Sequence, residues 1–369
     1  MSRPEPTIRL ARPDDGPRCV AFHNAFYGQA RTLAQWRWGF CRFVDADGTI
    51  PFAVAELDGE IVGTQALILI DLVDRQGPYP SAKSEATLVS KQMWGRNVFH
   101  LLYEPLLEFA RRRGIASIWG FTPARRSFER EGFAVPASTR QLLRALSSSA
   151  ASRLRKDVRL GRARRAVETV ASSLLAAYGG VRSATSAARA AGIEIGTISG
   201  APPWADDLSV AFVSQWGGTT IHRSQSYLEW RVFSNPFVRP VVLAATWAGR
   251  PVGWVAFGLC DDGTAAIVDL LAIDPLPGSV TAEDVAARLL DAATRRCRDM
   301  GAAAVRLWDV TGHPFAALVR RAARRLGWVL LDRGHPMVLM PLGPSRERPD
   351  GAPIHRWYVT RIFTEGTTP

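Results

Sequence analysis

Several features that would identify a protein class at once are scarce in this chain. Its four cysteines form no CxxC pair and have no histidine nearby at metal-ligand spacing, so neither a disulfide framework nor a zinc site is predicted. Long apolar runs are also missing, because the best candidate, IVGTQALILIDLV from Ile61, has the length and the polar interruptions of a strand. The N-terminal MSRPEPTIRL lacks the apolar core of a signal peptide. We therefore expect a cytoplasmic protein without a metal.

Lysine is nearly absent, since Lys83, Lys91 and Lys156 are the only three, and arginine carries almost all of the net charge of +12. A basic balance is typical of proteins that bind nucleic acid, a membrane surface or an anionic ligand. No base-reading motif is present, so sequence-specific binding of nucleic acid is not expected. At 369 residues the chain is long enough for two domains of roughly 150 residues each.

An internal repeat supports two domains. LAQWRW, at 33–38, precedes an alternating strand, a turn and a second strand, and YLEWRV, at 227–232, precedes the same arrangement. Each half continues with another strand, an amphipathic helix, a strand and a short helix, at an offset of about 190 residues. The matching glycines are Gly59 and Gly249 at the turns, and Gly114 and Gly301 after the helices.

A basic segment separates the halves. Residues 140–190 contain eleven Lys or Arg against two acids, a local net charge of +9, and they contain no proline. Good helix propensity predicts a helical linker, which is either a solvated helix packed on a domain or an electrostatic site for acidic lipid or polyanion. The predicted segments are a first α/β unit at 1–145, the basic helical linker at 146–195, a second unit at 196–345, and a C-terminal strand and tail at 346–369.

The stretch KQMWGRNVF, at 91–99, joins a predicted strand to a long predicted helix. A glycine at such a turn lets the main chain approach a ligand, and the start of a helix offers N–H donors to a phosphate. Gly95 is that glycine, Arg96 adds a charge, and Asn97 is a good N-cap residue. The turn is either a phosphate site or an ordinary structural turn.

The order of elements around this turn resembles the GCN5-related N-acetyltransferase (GNAT) superfamily. There the turn reads Gln or Arg, two residues, Gly, one residue, then Gly or Ala, and QMWGRN matches except at Asn97. GFTPARRSFEREGF, from Gly120, is similar to the family's segment that ends in Gly-Phe. The resemblance covers residues 7 to about 145. It implies an α/β (α+β) fold class with two tandem GNAT-like units, each a mixed, mostly antiparallel sheet flanked by helices.

The second half resembles the same fold without the cofactor turn. In DPLPGSVTAEDVAARLL, Pro275 and Pro277 each remove a backbone donor, so cofactor binding is not expected there. The pairing of an intact and a degenerate unit is similar to tandem GNAT proteins that acylate bacterial cell-surface polysaccharides or small metabolites.

The resemblance implies an acetyl-CoA- or acyl-CoA-dependent N-acyltransferase acting on a small amine, such as an amino sugar or amino metabolite. It places the pantetheine arm along residues 85–90 and the pyrophosphate at 92–99. Glu85 is the candidate base, and the alternative for Glu85 is a solvent-facing charge beside Lys83. The implied cofactor-binding residues are Leu88, Val89, Gln92, Trp94, Gly95, Arg96, Asn97, Val98 and Phe99.

The general acid stays open, because Phe128 stands where members of this family often have a tyrosine. The alternative proton donors are Tyr103, His100, Tyr27, water, or none. The repeated Trp-Arg pairs also have two interpretations, since they either anchor helices on the sheets or line an acceptor cleft that the second unit completes. These pairs are Trp36 with Arg37, and Trp230 with Arg231.

A non-catalytic function is the alternative to acyl transfer. A duplicated GNAT-like protein could bind an anionic membrane or a polyanion through residues 140–190. The acceptor, the acyl chain length and the oligomeric state do not follow from the sequence.

Overall fold

A computed structural model describes residues 4–28, 30–154, 162–186, 192–275, 280–310, 312–332, 334–342 and 356–364. The chain forms two compact units, each built from separated stretches. Unit 1 comprises residues 1–72, 78–136 and 336–351, and unit 2 comprises residues 73–77, 137–335 and 352–369.

Strands and helices are mixed throughout, which confirms the predicted α/β class. The strands are β1 Thr7–Leu10, β2 Phe52–Leu57, β3 Glu60–Leu69, β4 Leu72–Asp74, β5 Gly77–Tyr79, β6 Ala82–Val89, β7 Ser117–Phe121, β8 Ala134–Ala145, β9 Ile193–Ile198, β10 Thr219–Ile221, β11 Val241–Trp247, β12 Arg250–Leu259, β13 Ala265–Ala272, β14 Ala304–Val310, β15 Val329–Leu331, β16 Pro336–Pro341 and β17 Trp357–Tyr358. The helices are α1 Gly16–Tyr27, α2 Leu33–Phe40, α3 Val98–Arg112, α4 Arg125–Arg130, α5 Ala150–Arg153, α6 Arg162–Ser186, α7 Ala205–Trp216, α8 Gln225–Leu228, α9 Ala282–Asp299 and α10 Pro314–Arg325.

The sheet of unit 1 has the strand order β1-β2-β3-β6-β7-β16. Its pairs are antiparallel except for the parallel pair β6–β7. Helix α3 covers this sheet because Val98, Leu102 and Leu106 recur at a spacing of four and share one buried face. Helix α3 begins at Val98, and the predicted phosphate turn connects it to the end of β6 at Val89.

The last strand of unit 1 comes from late in the chain. Strand β16 pairs with β7 from Met337↔Phe121 to Pro341↔Ser117, and Val338 is fully buried in the core of unit 1. Strand β8, which directly follows Phe133, instead pairs with β14 and β15 in unit 2. The boundaries of the two compact units therefore differ from those of the four predicted segments, since each unit combines stretches that are separated in the sequence. Of the predicted C-terminal segment, residues 346–355 and 365–369 lie outside the described residues.

Unit 2 repeats this architecture. Its sheet has the order β8-β14-β13-β12-β11-β9, with β15 also pairing with β8, and β13–β14 is the parallel pair. Helix α9 packs on it through Val285, Leu289 and Leu290. The two hairpins match closely, since both central turn residues have positive φ in β2–β3 and in β11–β12. These residues are Asp58 and Gly59 in unit 1, and Ala248 and Gly249 in unit 2.

The basic linker is helical, as predicted, and consists of α5 and α6 in unit 2. Four basic residues of the linker lie outside the described residues, namely Arg155, Lys156, Arg159 and Arg189. Within the part of the chain that the structure describes, no helix combines the length and the hydropathy needed to cross a bilayer.

If β16 completes unit 1, a charge placed there should disrupt that unit. We expect Val338→Asp to lower the free energy of unfolding by about 3 kcal/mol or more, because the carboxylate would be buried without a partner. The same change at Val44, which is 46% exposed, is the control and should cost less than about 0.5 kcal/mol. Chemical denaturation measures both values. Hydrogen exchange should show lost protection in β7, and unchanged protection would contradict the pairing.

Candidate cofactor-binding site

Strands β6 and β7 separate in the middle of unit 1. They pair at Ala82↔Ile118 and Lys83↔Trp119, and β6 then continues to Val89 with β3 on its other side. Among the described residues, no strand pairs with this side of β6 from Glu85 onward. Its backbone groups there can hydrogen-bond an extended ligand as an added strand would.

A β-bulge accompanies the separation. The β3–β6 register shifts between Thr64 and Ala66, and Ala86 takes a left-handed conformation with φ 52°. The side chain of Gln65 is fully buried, and its Oε1 accepts a hydrogen bond from Thr87 Oγ1 at 2.5 Å. Thr64 Oγ1 donates to the carbonyl of Ala86 at 2.8 Å. The side chains of Thr64, Gln65 and Thr87 thus hold the bulge, and the pair Thr-Gln inside an apolar strand marks the place in the sequence without showing which residue loses its partner.

The turn after β6 is compact and anchored. The N–H of Ser90 donates to the carbonyl of Val62 at 2.9 Å, and a 3-10 turn follows over Lys91–Met93. Gly95 then has φ 79° and Asn97 has φ 58°. These left-handed positions reverse the chain so that α3 begins at Val98.

The start of α3 presents a set of backbone donors. Within the described residues, the N–H groups of Gly95, Asn97, Val98 and Phe99 donate to no protein acceptor. A Cβ placed on Gly95 would meet no atom within 4 Å, so the space in front of the turn is open. Such N–H groups, with the positive end of the helix dipole, can bind a phosphate group.

Asn97 occupies the predicted N-cap position but does not act as a side-chain cap. Its side chain accepts no hydrogen bond from the helix, and its backbone is left-handed. Asparagine adopts this conformation more readily than most residues other than glycine. Asparagine therefore suits this position, where φ is 58°.

The side chains of the predicted cofactor-binding residues differ in exposure. Leu88 and Val98 are buried in the core, so they could reach a ligand only through their backbone. Trp94 is 63% exposed, and its Nε1 donates to the carbonyl of Val89 at 3.0 Å. Arg96 Nη1 donates to the carbonyl of Pro4 at 3.2 Å. Gln92 is exposed, whereas Val89 and Phe99 are half-buried.

Glu85 lies at the start of the separated part of β6. Its carboxylate forms an ion pair with Lys83, which is only 5% exposed, and it accepts a hydrogen bond from the N–H of Ala86 at 3.3 Å. The Glu85 side chain itself is 40% exposed. The predicted base is therefore also the counterion of a buried ammonium group, and it can still be reached from solvent.

In unit 2, the protein's own side chains fill the place that corresponds to this turn. Thr281 and Asp284 form a capping box at the start of α9. The carboxylate of Asp274 accepts a hydrogen bond from the N–H of Ala282 at 2.6 Å. Among the described residues, the N–H groups of Thr281 and Ala282 thus already donate to carboxylates, and these carboxylates would repel a phosphate. Pro275 precedes this cap, and Pro277 lies outside the described residues.

The position of Glu85 also has a counterpart in unit 2. Glu85 pairs with Ala66 across the sheet of unit 1, and Asp269 pairs with Ala256 at the same register of unit 2. Asp269 is fully buried and accepts two hydrogen bonds from Arg223, at 2.7 and 2.8 Å. Thr360 Oγ1, near the C-terminus, adds a third at 2.6 Å. This carboxylate is closed off from any ligand.

Solved structures with a similar fold include GCN5-related N-acetyltransferases. A GCN5-related N-acetyltransferase from Kribbella flavida matches 91% of this chain and 71% of its own with a TM-score of 0.56 and 14% identity. One from Anabaena variabilis ATCC 29413 matches 92% and 73% with a TM-score of 0.61 and 11% identity. Eis1 from Mycobacterium abscessus matches 91% and 73% with a TM-score of 0.51 and 14% identity. No protein-family model and no functionally curated protein matches the sequence.

This chain has the GNAT fold. The resemblance inferred from residues 7 to about 145 is therefore confirmed at the level of fold, and unit 2 repeats the architecture. The low identities show the fold alone. The roles of individual residues stay predictions that the geometry supports to different degrees.

Phe128 stands where members of the family often have a tyrosine, and it lies in the core of unit 1. Phe128 is 3% exposed and packs edge-on against Phe99, Tyr103 and Phe133. Tyr103 is completely buried, its hydroxyl is 2.7 Å from Ser84 Oγ, and burial raises its pKa well above the ordinary value. Neither side chain has access to solvent from which a proton could be passed on.

The Trp-Arg pairs have structural contacts in both units. Trp36 is 1% exposed and packs against Phe52, whereas Arg37 is exposed. Trp230 and Arg231 are both buried, and the Arg231 guanidinium donates to the backbone carbonyls of the C-terminal segment. These contacts favour the anchoring interpretation for both tryptophans and for Arg231. A role for the four residues in an acceptor cleft stays a prediction.

His100 is held by carboxylates on the surface of α3. Its Nδ1 lies 2.7 Å from Glu131, and Glu104 is 3.5 Å from its Nε2. The hydrogen bond to Glu131 raises the pKa of His100 above its ordinary value of 6.5. Because the folded-state pKa is raised, this pairing stabilises the protein at acidic pH and is lost as the pH rises through that pKa.

We therefore expect Glu131→Gln to lower the pKa of His100 towards 6.5, since the main hydrogen bond to the charged imidazole becomes weaker. An NMR titration of the imidazole signals measures the shift. Glu129→Gln is the matched control, because Glu129 is a nearby carboxylate that pairs with Arg125 instead. Equal shifts in both variants would show that Glu131 does not hold His100.

Proposed function

We propose that this protein is an acetyl-CoA-dependent N-acyltransferase. Unit 1 would bind the cofactor, and the acceptor would be a small amine such as an amino sugar or amino metabolite. The observation that carries the proposal is the contrast between the helix starts. The donors at α3 have no protein acceptor among the described residues, whereas carboxylates and Thr281 cap the start of α9.

The residues of unit 1 fit acetyl-CoA in two ways. Backbone groups of β6 beyond Glu85 would pair with the pantetheine arm, which is an extended chain with amide groups. The N–H groups at 95–99 would hold the pyrophosphate, and Arg96 would add a positive charge near it. When bound, acetyl-CoA would supply an acyl thioester at the point where β6 and β7 separate.

Glu85 would take a proton from the acceptor amine, directly or through water. A general base must lie within reach of the proton that it removes. The Glu85 carboxylate is held in place by its ion pair with the buried Lys83, and it keeps 40% of its surface exposed. Phe128 cannot donate a proton and Tyr103 is enclosed in the core, so the alternatives for the general acid are His100, Tyr27 and water, or no acid at all.

Cofactor binding can be tested with a pair of glycine variants. Gly95→Val should abolish the rise in melting temperature that acetyl-CoA causes, because a β-branched residue strains a φ of 79° and its Cβ fills the open space at the donors. Wild-type protein should gain about 2.7 kcal/mol at a ligand concentration of 100 Kd. Differential scanning fluorimetry measures this shift.

Gly249→Val is the matched control, since Gly249 has φ 74° and open space but lies in the hairpin of unit 2. It should lose a similar amount of stability and keep the full response to acetyl-CoA. A response that survives in Gly95→Val, or that both variants lose, would contradict the proposed position of the cofactor.

If Glu85 is the base, replacing it should lower the rate of acyl transfer without weakening the binding of acetyl-CoA. We expect Glu85→Gln to lower kcat by about 10²- to 10³-fold, because the acceptor amine loses its base, and to leave the Kd for acetyl-CoA nearly unchanged. Release of CoA in the presence of amino sugars, nucleotide amino sugars, amino acids and polyamines provides the assay and identifies the acceptor. A variant that keeps its rate but loses stability would show that Glu85 serves only as the counterion of Lys83.

A further inference from the structure

Helix α6 presents an apolar face to solvent along most of its length. Eleven large apolar side chains are exposed among the described residues, and five of them lie on this one helix. The five are Val167 at 68%, Val170 at 58%, Leu174 at 66%, Tyr178 at 51% and Val181 at 65% exposed.

These five residues, here called the α6 stripe, share one side of the helix. Each follows the previous one by three or four positions, which matches 3.6 residues per turn. The opposite side packs on unit 2 through Ser172 and Gly179, which are buried. Between Ala166 and Val181 the sequence carries a single charge, Glu168, and that residue is half-buried. The stripe is therefore continuous and uncharged.

Positive charges lie at both ends of the stripe. Arg164 and Arg165 are exposed in the first turn of α6, and Arg182 is exposed beside Val181. Arg182 Nε donates to the carbonyl of Arg325 at 3.2 Å, so the exposed Arg324 at the end of α10 is close to the same end. An uncharged apolar stripe with arginines near both ends suits the interface of an anionic bilayer, because apolar side chains can enter the acyl region while basic side chains contact the headgroups.

We propose that α6 binds in the plane of an anionic lipid surface, with the stripe inserted among the acyl chains and the arginines at the headgroups. A second copy of this chain fits less well, because arginines at both ends of α6 would meet arginines in either orientation of two paired helices. A polyanion such as nucleic acid would leave the stripe in water. The helix lies on the membrane in this arrangement and does not cross it, and the proposal does not depend on acyl transfer.

Sedimentation of the full chain with sucrose-loaded vesicles tests the proposal. We expect binding to vesicles of phosphatidylcholine and phosphatidylglycerol, and little binding to vesicles of phosphatidylcholine alone. Val170→Gln combined with Leu174→Gln should lower the partition coefficient by about tenfold or more, because two inserted side chains become polar. Thr169→Gln combined with Ser173→Gln is the matched control on the same helix, and it should change binding by less than about twofold.

Four outcomes would overturn the proposal. The first is equal binding to both kinds of vesicle, and the second is binding that the stripe variant does not weaken. The third is a dimer in light scattering that the stripe variant dissociates, without any binding to vesicles. The fourth is binding to heparin or DNA in place of vesicles, unaffected by the stripe variant. All four variant positions are exposed, so circular dichroism should show the same fold in every sample.

Discussion

The way in which each unit satisfies the backbone donors at the start of its main helix determines the rest of the site. The first N–H groups of a helix have no acceptor within that helix and need a partner elsewhere. At α9, Thr281 and the carboxylates of Asp274 and Asp284 provide this partner. At α3, Asn97 is left-handed and provides no side-chain cap. The two units thus share one architecture, but the start of α9 is closed to anions and the start of α3 is open to them.

The same difference extends to the neighbouring strand. In unit 1, Glu85 pairs with Lys83 and stays accessible, and the bulge held by Gln65 accompanies a gap in strand pairing. In unit 2, Asp269 at the equivalent register is enclosed by Arg223 and Thr360. Removing one member of a buried ion pair costs about 3–5 kcal/mol, because the remaining charge has no compensation. Unit 2 thus encloses in its core a carboxylate at a position where the carboxylate of unit 1 stays exposed to solvent.

Local patterns predicted the repeated elements well. The alternating strands around Gly59 and Gly249, and the amphipathic helices that end near Gly114 and Gly301, follow from periodicity and turn chemistry. The bulge was not predicted, because a Thr-Gln pair inside a strand does not show which residue loses its partner. The contribution of β16 to unit 1 was also not predicted, since the sequence of a short apolar strand does not indicate which sheet the strand joins.

By itself, the sequence determined the fold class through the order of its elements and the duplication through its repeat. It also determined the basic helical linker and the turn around Gly95, because each of these depends on residues that are close together in the chain. Tertiary structure decided which carboxylate is exposed, which tryptophans are buried and which face of α6 meets solvent. It also decided that the backbone of Asn97 is left-handed and that its side chain does not cap α3. These properties depend on contacts between residues that are distant in sequence, and composition and spacing do not encode such contacts.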